Sequence, residues 1–304
     1  MVELNKEESP EAGVRRMLLE LMADAEKQLR EFETPDENVH EARKDFKKAR
    51  ALLRMVRKDI GEDAYKKVNI AFRDAGRKLS DIRDAGVLHQ TVEQLRERYD
   101  DLLTDEAFAT IATRLKARHD DMLKEFIEER RERARIMAIL DELRPSVEQL
   151  PVSSSDFGAY YGGIKKVFKR GRKAAETARA DTSTTNLHDW RKRAKYLYYQ
   201  LGYLRPLWPK ELKAFENSLN QLANLLGDDH DLALLAQVLK EEPGLHEDPK
   251  QLELLTGVIT AERNRLQKQL WPVAKRLYKE EPSQFANRLA AYWVAMKMEM
   301  ERLD

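Results

Sequence analysis

Apolar residues recur at three- and four-residue spacing along nearly the whole chain, with charged residues between them, which is the pattern of amphipathic helices. No stretch reads convincingly as a strand. The spacing predicts helices over 12–33, 37–59, 62–83, 104–142, 156–179, 186–204, 210–226, 229–241, 249–269 and 283–301. Punctuation separates them: Thr34-Pro35-Asp36, Pro145, Pro151 with the serines at 153–155, the polar cluster at 181–186, Pro206, Pro209 and Pro243-Gly244. The fold class expected is all-α.

The segment RPSVEQLPVSSSD at mid-chain supplies the one linker, over 145–155, between helical halves at 12–144 and 156–304. Its position prompts a search for an internal repeat. Val39-His40-Glu41-Ala42-Arg43-Lys44 overlies Leu187-His188-Asp189-Trp190-Arg191-Lys192 at an offset of 148, and Lys47 then falls on Lys195. With one residue of slippage, Leu79-Ser80-Asp81-Ile82-Arg83-Asp84 overlies Leu226-Gly227-Asp228-Asp229-His230-Asp231. Two related halves are the economical reading.

At 100° per residue, His40, Arg43, Lys44, Lys47, Arg54 and Lys58 share one helix face, and Ala42, Phe46, Ala49, Leu53, Val56 and Ile60 share the opposite one. The second copy repeats this, with His188, Arg191, Lys192, Lys195 and Tyr199 in front of Trp190, Ala194, Leu197 and Leu201. A third basic stretch follows Tyr160-Tyr161-Gly162-Gly163 and includes Lys169, Arg172 and Lys173. Cations at i,i+4, such as Arg43 with Lys47 and Arg191 with Lys195, cost roughly 0.2–0.5 kcal/mol per pair. A recurring face of this kind predicts an anion that is absent from the sequence itself.

Net charge hides this. The 304 residues carry 55 Lys and Arg against 54 Asp and Glu, a formal +1, so global charge nominates neither nucleic acid nor membrane. The basic segments at 39–58, 164–180 and 187–198 together carry +15, leaving −14 for the rest. With no cysteine, thiol nucleophiles, zinc-thiolate sites and redox pairs are excluded. No run of about 18 apolar residues spans a bilayer, and the acidic N-terminus MVELNKEESPE does not read as a secretory signal, so a cytoplasmic location is expected. Arg offers a planar fork for phosphate oxygens and Lys a compact charge. The first stripe lacks aromatic platforms for stacked bases, so a polyanion without bases fits better than RNA or DNA.

These residues resemble the CHAD family, the conserved histidine α-helical domain. The resemblance rests on His40-x-x-Arg43-Lys44-x-x-Lys47-Lys48, on His188-x-x-Arg191-Lys192-x-x-Lys195, on Leu226-Gly227-Asp228-x-x-Asp231 with its partner Leu79-Ser80-Asp81-x-x-Asp84, and on the basic stretch from Tyr161 to Lys173. It covers the chain from about residue 12 as a single domain, 12–304. It implies two four-helix bundles related by a pseudo-twofold axis around a basic groove or pore. It further implies binding of inorganic polyphosphate and, in some members, recruitment to polyphosphate granules or partnership with CYTH-type triphosphate enzymes; the lack of recognisable catalytic groups favours a binding module that needs no cofactor. Carried over by position, the ligand-facing residues are His40, Arg43, Lys44, Lys47, Arg54, Lys169, Arg172, Lys173, His188, Arg191, Lys192 and Lys195, with Lys275 and Lys279 on a late basic turn. Tyr196 at the position of Lys48, and Ser80 at that of Gly227, depart from the repeat and suggest fewer phosphate contacts in the second half.

Other chemistries compete. His188, His230-Asp231 and Asp248 have the order of an HD-type metal phosphohydrolase, but the related turn has Arg83 at the His230 position, a poor ligand. Asp231 and Asp84 are read instead as helix-start acids or partners of basic side chains. His89, His119 and His246 lack a paired context and are expected on the surface or in the core. No G-x-x-x-x-G-K or G-x-G-x-x-G loop occurs, and no nucleophile with an adjacent base. A nucleic-acid-binding helical module and a purely structural adaptor complete the alternatives to a non-enzymatic polyphosphate binder.

Overall fold

Ser9 caps the first helix: its Oγ accepts from the Ala12 amide at 3.2 Å, and Pro10 opens α1 (Pro10–Arg30), where a missing N–H costs no intrahelical bond. The computed structural model describes residues 2–100, 105–129, 131–246 and 249–302. Among these the structure is all-helical. After α1 come α2 (Pro35–Ile60), α3 (Glu62–Arg77), α4 (Ser80–Arg98), α5 (Asp105–Glu129), α6 (Arg131–Glu148), α7 (Gly158–Ala180), α8 (Thr184–Leu204), α9 (Pro209–Glu241), α10 (Pro249–Leu277) and α11 (Pro282–Glu301). Single 3-10 turns lie at Arg205–Leu207 and Pro243–Leu245.

Several predicted boundaries move. The helix expected over 62–83 breaks at Lys78 and Leu79, and α4 continues to Arg98 through a stretch for which no helix was predicted. Gly86, Val87, Thr91 and Val92 weaken local helix propensity there, yet Ala85, Leu88, Val92 and Leu95 form a buried stripe that packing rewards. The expected 104–142 helix is two elements, α5 packed on α4 and α6 packed on α1 and α3. Pro145 lies inside α6 and Pro272 inside α10, so neither ends its helix. The largest correction concerns 226–231: α9 runs unbroken through Gly227, joining the helices expected over 210–226 and 229–241. Buried Leu222, Leu226, Leu232 and Leu235 on either side of the glycine outweigh its cost of about 1 kcal/mol.

The segment after α6 is tied down. Leu150 and Val152 are buried, the Arg15 guanidinium donates to the Leu150 carbonyl at 2.9 Å and 3.1 Å, and the Ser153 and Ser154 amides donate to the Asp59 carboxylate at 2.7 Å and 3.2 Å.

The order of elements repeats. α1 and α7 begin 148 residues apart, α2 and α8 149 apart, and α3 and α9 147 apart. α1 packs on α2 as α7 packs on α8, and α4 packs on α5 as α9 packs on α10. Neither hydrophobic cluster belongs to one half, however. The larger joins α1, α2, α3 and α6, with Ile82 of α4 and Phe126 of α5, to α7, α8, α11, the first part of α9 and the last part of α10; the smaller joins α4 and α5 to the rest of α9 and of α10. α2 and α7 cross so closely that a Cβ on Gly163 would overlap the Met55 carbonyl, which makes glycine obligatory there.

Candidate functional site

The apolar faces predicted for the two histidine-led helices are the faces that the core takes up. Ala42, Phe46, Ala49, Leu53, Val56 and Ile60 of α2 are buried, and so are Trp190, Ala194, Leu197 and Leu201 of α8. Each large side chain so buried is worth about 1.5–3 kcal/mol, enough to hold the opposite faces in one orientation against charge repulsion. Because α2 and α8 also touch each other, their cationic faces converge. Lys47 has Arg43, Arg191 and Arg83 as charged neighbours; His188 has Lys192, Arg191 and Lys47; Lys195 has Arg191 and Lys44; His40 has Arg83, Lys44 and Lys47. Thus His40, Arg43, Lys44, Lys47, His188, Arg191, Lys192 and Lys195 meet in one place.

Inner and outer cations differ in their partners. Lys44 Nζ lies 2.7 Å from Glu41 and Lys192 Nζ 3.4 Å from Asp189, so each outer lysine has a carboxylate from its own helix. The inner groups have weaker compensation. Arg43 donates to the Leu79 carbonyl at 2.8 Å, at the junction of α3 and α4, and stands 3.9 Å from Asp84. The Lys195 ammonium lies 5.3 Å from the centre of the Tyr198 ring. Arg191 lies over the α9 backbone, its Nε 3.4 Å from where a Cβ on Gly227 would stand, and that Nε is buried without a hydrogen-bond partner.

The wall facing these cations comes from α4 and α9, and sequence reasoning assigned its residues no ligand-facing role. Arg83 adds a further cation, and Asp84, Asp228 and Asp231 bring carboxylates to the same electrostatic neighbourhood. A cavity of about 530 Å³ adjoins it, lined by Arg83, Asp228 and Asp231 and by Gln90, Gln94 and Leu232. The available signal was the repeat, which pairs Asp84 with Asp231 as it pairs His40 with His188. Asp231 does not start a helix; it sits mid-way along α9, and its acid faces basic side chains instead.

Crowding of like charge shows in the protonation equilibria. Crowding by protein atoms and the Arg43, Arg191 and Arg83 guanidiniums hold Lys47 down to about 7, although the residue is exposed and water screens part of that effect. Burial and Arg191 bring Lys195 to about 8. Partial burial, then neighbouring cations, lower both His40 and His188. His230, whose ring centre is 4.2 Å from that of His188, is pushed down to about 4 by burial and by His188. Asp231 moves the other way, to about 6, because burial outweighs the pull of Arg191 and Arg83.

The remaining sequence candidates lie apart from this cluster. Arg54 is about 16 Å farther along the α2 axis than Arg43; it donates to the Arg50 carbonyl at 2.7 Å and to Asn69 at 3.2 Å, and covers the Tyr196 ring at 4.2 Å. Arg172 is paired with Glu281 at 2.6 Å and Glu176 at 3.3 Å. Lys169, Lys173, Lys275 and Lys279 are exposed on α7 and at the end of α10, and none is among the charged neighbours of Lys47, Lys195, His40 or His188. Among the described residues no group of three or more His, Asp or Glu is disposed to hold a metal ion; Asp248 lies outside the described residues.

The family model for the CHAD domain matches residues 14–240, three quarters of the chain and every residue of the cluster. The chain belongs to the CHAD family. That family is associated with polyphosphate-related proteins. No curated protein matches the chain. The matched stretch of this CHAD protein ends with α9, so α10 and α11 extend beyond it while packing on α9 and α7 respectively. Among the described residues no helix is long and apolar enough to cross a membrane.

Proposed function

We propose that this CHAD protein binds inorganic polyphosphate, without turning it over, in the cluster formed by the cationic faces of α2 and α8. The observation that carries the reading is the convergence of Arg43, Lys47, Arg191 and Lys195 with little carboxylate contact: among the described residues only Asp84, 3.9 Å from Arg43, comes within 4.0 Å of them. Like charges gathered this way are costly unless a ligand supplies the anion, and a chain of phosphates supplies several to both helices at once. Lys44, Lys192, His40 and His188 flank the same cations and extend the contact. Arg54, Lys169, Arg172, Lys173, Lys275 and Lys279 are left out of this site on the grounds of distance or existing pairing. A cytoplasmic location, association with polyphosphate granules and partnership with a CYTH-type enzyme belong to the same proposal.

The test is a competition titration of polyphosphate against single-stranded RNA of equal charge, with Arg191→Ala as the probe variant. Polyphosphate should displace RNA, and the variant should lose about tenfold or more in affinity, the worth of one charge-assisted contact. A preference for RNA that varies with base identity would move the protein to the nucleic-acid class.

A further inference from the structure

Asp231 is anomalous within the proposed site. Among the described residues its carboxylate makes no hydrogen bond and no ion pair within 4.0 Å, although Arg191 of α8 and Arg83 of α4 act on it as counter-charges and Asp228 and Asp84 as like charges. Its helix neighbour His230 lies beside His188, with Lys192 and Arg263 among the charges around it, Arg98, Glu262 and Arg265 stand near Asp228, and Arg43 and Lys47 face Asp84 from α2. Asp84, its repeat partner, stands at the same kind of position against Arg43 and Lys47. A polyanion site with carboxylates built into one wall repels part of any ligand whose units are all fully ionised.

The two kinds of unit in a linear polyphosphate differ here. An interior unit has lost its only, strongly acidic proton and can offer a carboxylate nothing but repulsion. A terminal unit carries a second, weakly acidic hydroxyl that titrates near neutrality, and its P–OH can donate to a carboxylate while its other oxygens accept from arginine.

We infer that Asp231, assisted by Asp84, makes the cluster a reader of phosphate chain ends: a terminal P–OH donates to the Asp231 carboxylate while Arg191 and Arg83 hold the oxygens of the same unit. The proton stays shared between phosphate and carboxylate, and no bond is made or broken. This rests on the phosphate-binding reading above and specifies which part of the ligand is seated. The half-buried setting that raises the Asp231 pKa strengthens a hydrogen bond of this kind, since acid and phosphate then titrate close together.

The probes are linear tripolyphosphate, which has two ends, and cyclic trimetaphosphate, which has none. The intact protein should favour the linear form by about tenfold or more at neutral pH, the worth of a hydrogen bond to a charged group. Asp231→Asn, which keeps shape and removes the acceptor charge, should bind the cyclic form more tightly and bring the ratio to within about threefold. If the carboxylate merely repels anions, the variant will gain affinity for both probes, and for the more highly charged linear one at least as much, so the ratio will stay or rise instead of falling, and the inference fails. Phosphorus NMR of a longer linear chain with the unaltered protein gives the answer without a variant: terminal resonances should shift and broaden before interior ones, and uniform broadening overturns end-reading. Failure of the unaltered protein to bind any of these phosphates overturns the proposed function itself.

Discussion

Lys47 shows what convergence costs the free protein. Its pKa falls from 10.5 in an unconstrained chain to about 7 in the fold, and that of Lys195 from 10.5 to about 8. Between those values the unfolded chain binds more protons than the native one, so these lysines make stability rise with pH from about 7 toward 10.5, and their full cost is present below about 7. Asp231 acts in the opposite sense only between its ordinary 3.8 and about 6, outside that window. With the share of the exposed Lys47 discounted for screening by water, the thermal midpoint of the free protein should rise by roughly 1–3 °C between pH 7 and pH 9, and Lys47→Met should reduce the rise. The same residues give binding its pH dependence. An anion raises the depressed pKa values of His40, His188 and Lys47, so complex formation takes up protons and affinity strengthens as pH falls from about 8 to about 6. Calorimetry in two buffers of different ionisation enthalpy measures that uptake, and equal affinity across the range would remove the histidines from the site.

At the scale of elements, the α2 and α7 crossing sets the platform on which the cluster stands. Gly163→Ala would drive a methyl into the Met55 carbonyl, and backbone cannot yield as a side chain can, so the variant should lose about 1–3 kcal/mol or more in denaturant unfolding. Gly162→Ala meets only the Lys58 side chain, at 3.1 Å, and should stay within about 0.5 kcal/mol. The glycine pair was visible in the sequence, where it read as part of a basic stretch; that one member marks a helix crossing depends on which helix lies opposite. Leu226-Gly227-Asp228 is the converse case. A glycine followed by two acids looks like a turn locally, and only the leucines packed against α8 and α10 carry the helix through it.

Across the whole molecule, two basic faces whose histidines are 148 residues apart become one site because the core draws α2 and α8 together. The salt dependence of polyphosphate binding should report this shared site, with log affinity falling against log salt by about 0.7 per phosphate neutralised. Lys44→Glu with Lys192→Glu should flatten the slope, although the two positions belong to different halves. Lys169→Glu with Lys173→Glu, the same change in net charge on the exposed side of α7, should leave the slope nearly unaltered. Equal effects from the two double variants would mean that total charge, rather than the cluster, governs binding.

The helical periodicity, the core-facing residues of α2 and α8, the repeat and the inner cations were all legible in the chain, because a 3.6-residue period makes each helix declare its own faces. What it could not declare is which faces meet. Placement of Arg83, Asp84 and Asp231 opposite Arg43 and Arg191, the separation of Lys169 and Lys173 from them, and the pairing of Arg172 with Glu281 depend on contacts between residues tens to more than a hundred positions apart. Those contacts are chosen by packing of the whole core, and no local pattern carries them.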